Sequence, residues 1–358
     1  MFLRQIVSSC CIVICLFILS TVCAAHVPAV CNNIEPGYYL FSYFKGNGED
    51  GIHLAFSLDA KHFYAFNQGQ SIFPSDATIG QGIIRDPVSA RAPDGTYHIV
   101  WSTGWTSPVI GYASTRDFIH WTNQGEHKQQ RAITLYPQLD QAKVNVWAPS
   151  LFFDEVKNQF IILWAYFEPG QDKRLHYSTT TDFSEVSDAY PYFNPGYTVI
   201  DGVLVDAGLE AGHKYVIIYK DERAVEKHLD VARLPALYPA VGGIFHAKTP
   251  GIELQGIERA IAMNEGPTVL KVALQSTAAP AWIVYYDHYF SANGPLQHYG
   301  AYLTTDFKRF DKVTSCLRFP DHPRHGGVVK TDCKIINALW DRYPPERAAD
   351  LPPRPVCG

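Results

Sequence analysis

The chain has 358 residues with 47% hydrophobic, 13% aromatic and 18% charged side chains, and a net charge of -5. No Lys/Arg cluster or basic stripe is present, which excludes a nucleic-acid binder. The hydrophobic share is too high for a disordered chain and supports a sizeable core.

Residues 1–25 read as a secretory signal peptide. Arg4 gives the positive start, an apolar stretch runs from Cys10 to Cys23, and Cys23-Ala24-Ala25 suits cleavage. The competing reading is a signal anchor, for which the apolar run is short against the ~20 residues of a spanning helix. The protein is therefore expected to be secreted, with no membrane attachment after signal removal. Cys31, Cys316, Cys333 and Cys357 remain. Four cysteines in a secreted chain suggest two disulfides. The expected pairs are Cys316–Cys333, bracing the last inner strand, and Cys31–Cys357, tying the termini.

Three kinds of β element then recur. Aromatic-led runs begin at Tyr38, Tyr97, Phe160, Tyr215 and Trp282. A following run, as in Gly111-Tyr112-Ala113-Ser114-Thr115, is mostly trailed by an Asp and an aromatic (Asp117-Phe118, Asp182-Phe183, Asp306-Phe307). Preceding each unit is a short segment that reads as the start of a buried strand: Arg85-Asp86-Pro87, Trp147-Ala148-Pro149, Ile200-Asp201-Gly202, Asn264-Glu265-Gly266 and Arg324-His325-Gly326. Taken as equivalent, Asp86, Ala148, Asp201, Glu265 and His325 recur at steps of 62, 53, 64 and 60 residues. A unit of that length cannot bury its own face, so copies must pack together.

Five units predict an all-β, five-bladed β-propeller over residues 26–333. The N-terminal segment supplies a second and third strand without a first. The segment at His325 supplies a first strand alone, so one blade is closed by both chain ends. A solenoid or stacked sandwich has the same strand content but leaves that split unit unexplained. Residues 334–358, with Pro344-Pro345 and Pro352-Pro353, read as an extended tail.

Inner strands starting on one face bring Asp86, Asp201, Glu265 and His325 to one spot. Loops after the second strands form its rim: Glu49 and Asp50, Trp105, Glu168, Lys220-Asp221-Glu222, and Asp287-His288. Each acid alone is readily a turn or strand-capping residue; recurrence at the axis argues for chemistry. Trp147 and Trp105 can stack on a sugar or simply pack.

Asp86 in Arg-Asp-Pro, Asp201 in Ile-Asp-Gly and Glu265 in Glu-Gly-Pro, on successive blades, resemble the catalytic carboxylates of glycoside hydrolase family 43. The resemblance covers about Gly37 to Lys330. It implies an inverting glycosidase on an oligo- or polysaccharide, with Asp86 as base, Glu265 as acid and Asp201 tuning the acid. Arg85, Trp105, Trp147, Lys220, His288 and Arg324 are then the residues expected to hold substrate. No cofactor is required, but His325 stands where members place a channel histidine near a bound calcium ion or water. Inverting cleavage needs one protonated and one ionised carboxyl, typically ~6.5–9.5 Å apart. Burial and Asp201 are expected to raise the pKa of Glu265. Two alternatives compete: a retaining β-fructosidase, whose next blade would need an acid where this chain has Ala148 and Ser150, and a sugar-binding propeller without turnover.

Overall fold

The computed structural model describes residues 31, 33–122, 130–138, 140, 142–167, 170–208, 214–223, 227–257, 262–291 and 298–358; the expected signal peptide and Glu168 lie outside them. Strands β1 (Tyr39–Phe44), β2 (His53–Ser57) and β3 (Tyr64–Ala65) open the first blade. The second holds β4 (Arg85–Arg91), β5 (Tyr97–Ser102), β6 (Val109–Thr115) and β7 (Trp121–Thr122), with β8 (Arg131–Thr134) added on β6. The third holds β9 (Asn145–Asp154), β10 (Gln159–Phe167), β11 (Arg174–Thr180) and β12 (Tyr190–Asn194). The fourth holds β13 (Val199–Asp206), β14 (Tyr215–Asp221) and β15 (His228–Leu234). A short β16 (Phe245–His246) returns to β12, and β17 (Glu253–Gly256) completes the fourth blade. The fifth holds β18 (Ala262–Leu274), β19 (Thr277–Ser291), β20 (His298–Thr304) and β21 (Asp311–Lys312). Finally β22 (Arg324–Lys330) pairs antiparallel with β1 and becomes the inner strand of the first blade. The five-bladed propeller with a blade closed by both ends is therefore the observed fold.

Apolar packing follows the ring. Separate buried clusters lie between the first and second blades, the second and third, the third and fourth, the fourth and fifth, and the fifth and first. The Asp-aromatic turns shape the blade edges. Phe118, Phe183 and Phe307 take positive φ there, and Thr115, Thr180 and Thr304 accept their N–H groups.

The inner strands share one irregularity. In each, two residues face a single residue of the neighbouring strand: Asp86-Pro87 across from Trp101, Ala148-Pro149 from Trp164, Asp201-Gly202 from Tyr219, Gly266-Pro267 from Tyr286, and His325-Gly326 from Tyr43. All five facing residues are buried aromatics. A bulge of this kind bends the strand and re-aims its side chains. It also corrects the repeat. The register makes Gly266, not Glu265, the partner of Asp86, Ala148, Asp201 and His325. Glu265 stands one step earlier, level with Arg85, Trp147, Ile200 and Arg324.

Each blade interface also carries a polar link near the axis. Ser42 Oγ donates to Pro87 O, Ala148 N to Ser102 Oγ, Ser150 Oγ to Gly202 O, Gly266 N to Asp201 Oδ2, and Val328 N to Thr268 Oγ1.

Two expectations for the ends are overturned. The disulfides are Cys31–Cys316 and Cys333–Cys357. Cys31 and Cys316 share the buried cluster between the fifth and first blades, whereas Cys333 opens a helix against the first two blades, where Cys357 returns to it. Nor is the tail wholly extended: α1 (Cys333–Arg342) precedes the prolines. Asp332 caps it by accepting from Ile335 N, and Ile335, Ile336 and Leu339 bury one face against the first two blades.

Candidate active site

The two rows of inner-strand residues build a pocket of about 450 Å³ on the axis. Nearer the strand starts stand Arg85, Trp147, Ile200, Glu265 and Arg324; one residue on stand Asp86, Ala148, Asp201 and His325, all lining it. Asp86, Ala148 and Asp201 have φ of 53°, 46° and 56°. Left-handed backbone costs an ordinary residue ~1–2 kcal/mol. Three such residues around one pocket mark where the fold spends stability on aiming side chains.

Asp86 accepts from Ser102 Oγ at 2.6 Å, and its Oδ1 lies 3.3 Å from His325 Nδ1. Burial alone would raise its pKa. The charge on His325, with Arg85 and the Ser102 hydroxyl, overcomes that and holds the carboxyl well below the usual range. Asp201 behaves oppositely. Burial pushes its pKa up to about 6, helped by Glu265 and Asp86 and opposed by His325 and Lys220. Its Oδ2 accepts from Gly266 N, directly behind Glu265.

Glu265 is gripped from two blades. Lys220 Nζ donates to Oε2 at 2.6 Å and Arg324 Nη2 to Oε1 at 2.7 Å. Burial would raise its pKa, but the two cations outweigh burial and hold it below the ordinary value. The expected upward shift is thus reversed, because the sequence did not show which cations the ring brings to it. Arg324 is itself anchored through Nε to Asp287 Oδ2 at 2.7 Å. Asp287 is fully buried, which pushes its pKa up to about 6.

His325 Nδ1 also lies 3.9 Å from Asp201 Oδ2. Burial would lower its pKa, but Asp86 and Asp201 push it up to about 9. Its Nδ1 is directed at two carboxylates, and calcium takes oxygen ligands, so this imidazole nitrogen is a poor fit for that ion. Among the described residues, three side-chain ligand atoms within 4.8 Å of one another occur only at Asp221, His228 and Asp230, outside this pocket, where Arg223 already grips Asp221.

The other expected contacts divide. Trp105, half exposed, covers the Arg85 guanidinium at 4.2 Å and meets Trp147 edge-on. Both tryptophans and Arg85 line the pocket. Lys220 also lines it, but its donors go to Glu265, Tyr289 and Glu222. His288 does not line it. Alternation along β19 sends Asp287 inward, while His288 bonds Asn264 and stacks on His298. Of the rim residues, Glu222 lines the pocket, Asp287 lies behind it, and Asp50 pairs with His53 elsewhere. Ser102, Tyr289, Lys173 and Lys227 also line the pocket without having been singled out in the sequence. Ser102 ends β5 just beyond the aromatic run at Tyr97, a position the repeat could have flagged.

A family model described as a probable glycosyl hydrolase domain, related to glycoside hydrolase family 43, matches residues 35–333. No curated protein matches the chain in sequence. Among solved structures, an endo-1,4-β-xylanase from Bacteroides thetaiotaomicron is 11% identical, over 78% of this chain and 95% of that one, with a TM-score of 0.50. An α-L-arabinofuranosidase from Lactobacillus brevis is 15% identical, over 64% and 72%, with a TM-score of 0.45. An endo-arabinanase from Bacillus licheniformis is 14% identical, over 64% and 75%, with a TM-score of 0.41. At 11% identity the xylanase shares its fold with this chain and nothing finer.

Proposed function

Because this chain belongs to the glycoside hydrolase 43-related family of probable glycosyl hydrolase domains, we propose that its pocket removes terminal pentosyl residues, α-L-arabinofuranosyl or β-xylosyl, from plant-type polysaccharides with inversion. The observation that carries this reading is the gathering of Asp86, Asp201 and Glu265 around one 450 Å³ pocket walled by tryptophans. That volume suits a small ligand, and the indole faces suit a sugar ring.

Asp86 is the ionised carboxylate suited to activating water. Glu265, on a different blade and one step nearer the strand starts, is the group to protonate the leaving oxygen. Asp201 holds the Gly266 N–H and so fixes the backbone behind Glu265. Its charge and that of Glu265 each disfavour the other. The cysteine pairs and the apolar N-terminal run support secretion, and N-terminal sequencing of the protein from culture medium tests it.

Chromogenic arabinofuranoside and xyloside substrates, with the product anomer followed by NMR, test the activity. Asp86→Asn and Glu265→Gln should each lower kcat/KM by about a thousandfold or more, the combined scale of acid–base catalysis and charge stabilisation. Activity that survives both substitutions removes these roles. One observation favours a second reading, a sugar-binding propeller without turnover: the double ion pair that keeps Glu265 unprotonated. Calorimetric binding of xylose or arabinose by a protein that cleaves no substrate at any pH from 4 to 8 would select it.

A further inference from the structure

Around Glu222 the charges do not balance. Its carboxylate, buried at 7% side-chain exposure, meets three ammonium groups: Lys173 and Lys220 at 3.0 Å and Lys227 at 2.9 Å. Burial would raise its pKa, but these lysines bring it down to about 2. Lys220 passes on to Glu265, and Arg324 is shared between Glu265 and Asp287. Along this connected chain, four cations face three carboxylates among the described residues.

The deeper part of the pocket does not restore balance. There the two carboxylates Asp86 and Asp201 face the charged His325. Arg85 adds a further guanidinium whose hydrogen bond goes to the neutral Asn47 amide and whose faces meet Phe44 and Trp105. Surplus positive charge in a half-enclosed site is costly unless an anion supplies the partner.

The surplus has a direction. Lys220 has all three N–H donors engaged, by Glu222, Glu265 and Tyr289. Lys173 and Lys227 each spend one on Glu222, and both line the pocket. Lys173 is also braced over the Trp147 ring at 4.7 Å. Both lie beyond Glu265 on the Lys220–Glu222 side. If Glu265 hands a proton to the leaving oxygen, they flank the leaving sugar.

We propose that the sugar on the leaving side of the scissile bond is acidic, a uronosyl residue whose carboxylate is received by Lys173 and Lys227. This rests on the glycosidase reading only for naming that side as the leaving side. The substrate class then narrows to pentosyl branches on uronate-bearing polysaccharides.

Equilibrium binding tests it without turnover. Calorimetry on the full-length Glu265→Gln protein at low salt would compare D-glucuronate with D-glucose, which match except for the carboxylate. Glucuronate should bind at least about tenfold tighter, the lower end for charge-assisted hydrogen bonds. Adding Lys173→Gln and Lys227→Gln should reduce that preference to less than about twofold, and Lys173→Arg with Lys227→Arg should retain it. Circular dichroism checks that each variant is folded. Equal affinity for the two sugars overturns the proposal, as does a preference that survives loss of both lysines. Tight binding of glucose 6-sulfate without a response to glucuronate overturns the carboxylate. Hydrolysis of neutral pentosides by a protein indifferent to uronate removes this inference and leaves the glycosidase reading intact. Uronate preference in a wild-type protein that cleaves nothing does the reverse.

Discussion

Glu265 carries the tension in this pocket. An acid catalyst has to hold a proton, and Lys220 and Arg324 both favour its release. With Asp86 ionised far into acid, the proposed role of Glu265 assigns to it the falling limb of kcat/KM with rising pH in the free enzyme. Activity should therefore be greatest at acidic pH and already decline above about pH 4.5, the ordinary glutamate value. Lys220→Met keeps most of the buried stem and removes one cation, so the limb should move to higher pH. A pH profile on wild type and variant decides; a limb that stays in place would show that another group carries the proton. Gly266 is the second sensitive residue. It has φ +57°, and a Cβ there would lie 2.4 Å from His325 Cγ. Gly266→Ala should cost more than the ~1–2 kcal/mol of a left-handed alanine, read as a lower Tm, and should reduce turnover by displacing His325.

At the level of strands, the blades were legible because their aromatic runs repeat and the turn aspartates mark each edge. The exact inner register was not. Aligning acid on acid put Glu265 level with Asp86, whereas aligning Pro87, Pro149, Gly202, Pro267 and Gly326 gives the register found in the structure. The bulge that places those residues is a backbone event, and only the proline and glycine column hints at it. The cations around Glu265 and Glu222 were harder still, since Lys173, the pair Lys220 and Lys227, and Arg324 come from three different blades. The disulfide pairs depend on long-range placement of the same kind: the ring seats Cys31 beside Cys316, and α1 seats Cys333 beside Cys357. Peptide mapping should find Cys31–Cys316 and Cys333–Cys357. Replacing both cysteines of the second pair by serine should cost ~3 kcal/mol, and of the first ~5 kcal/mol, since the first closes a far longer loop. Urea midpoints compare the two.

For the whole molecule, buried titrating groups set a stability optimum. Burial pushes His98 down to about 4 and His176 to about 3. Their contribution is complete above the ordinary 6.5 and is lost as pH falls through 6.5 towards those values. Against burial, hydrogen bonds from His62 and nearby backbone N–H groups hold Asp59 at about 2, and lysines hold Glu222 there too. These two contribute above the ordinary carboxylate range and lose that contribution as pH falls towards 2. His325 has the opposite sign: its share is full below 6.5 and is lost as pH rises through about 9. Asp201 and Asp287, raised to about 6 by burial, oppose the two buried histidines: their share is full below the ordinary carboxylate value and is lost as pH rises through 6. Tm should therefore be nearly level between about pH 4 and 6.5 and fall on both sides of that range. A Tm that rises steadily from pH 6.5 to 9 contradicts this account.

The last inner strand to be synthesised is the one that finishes the first blade. Arg324 and His325 ride on β22, so a nascent chain has its aspartates long before it has the cations that set their charge. No shortened product ending before this strand can hold the cavity in working form. The cavity is complete only once the chain's last strand has met its first.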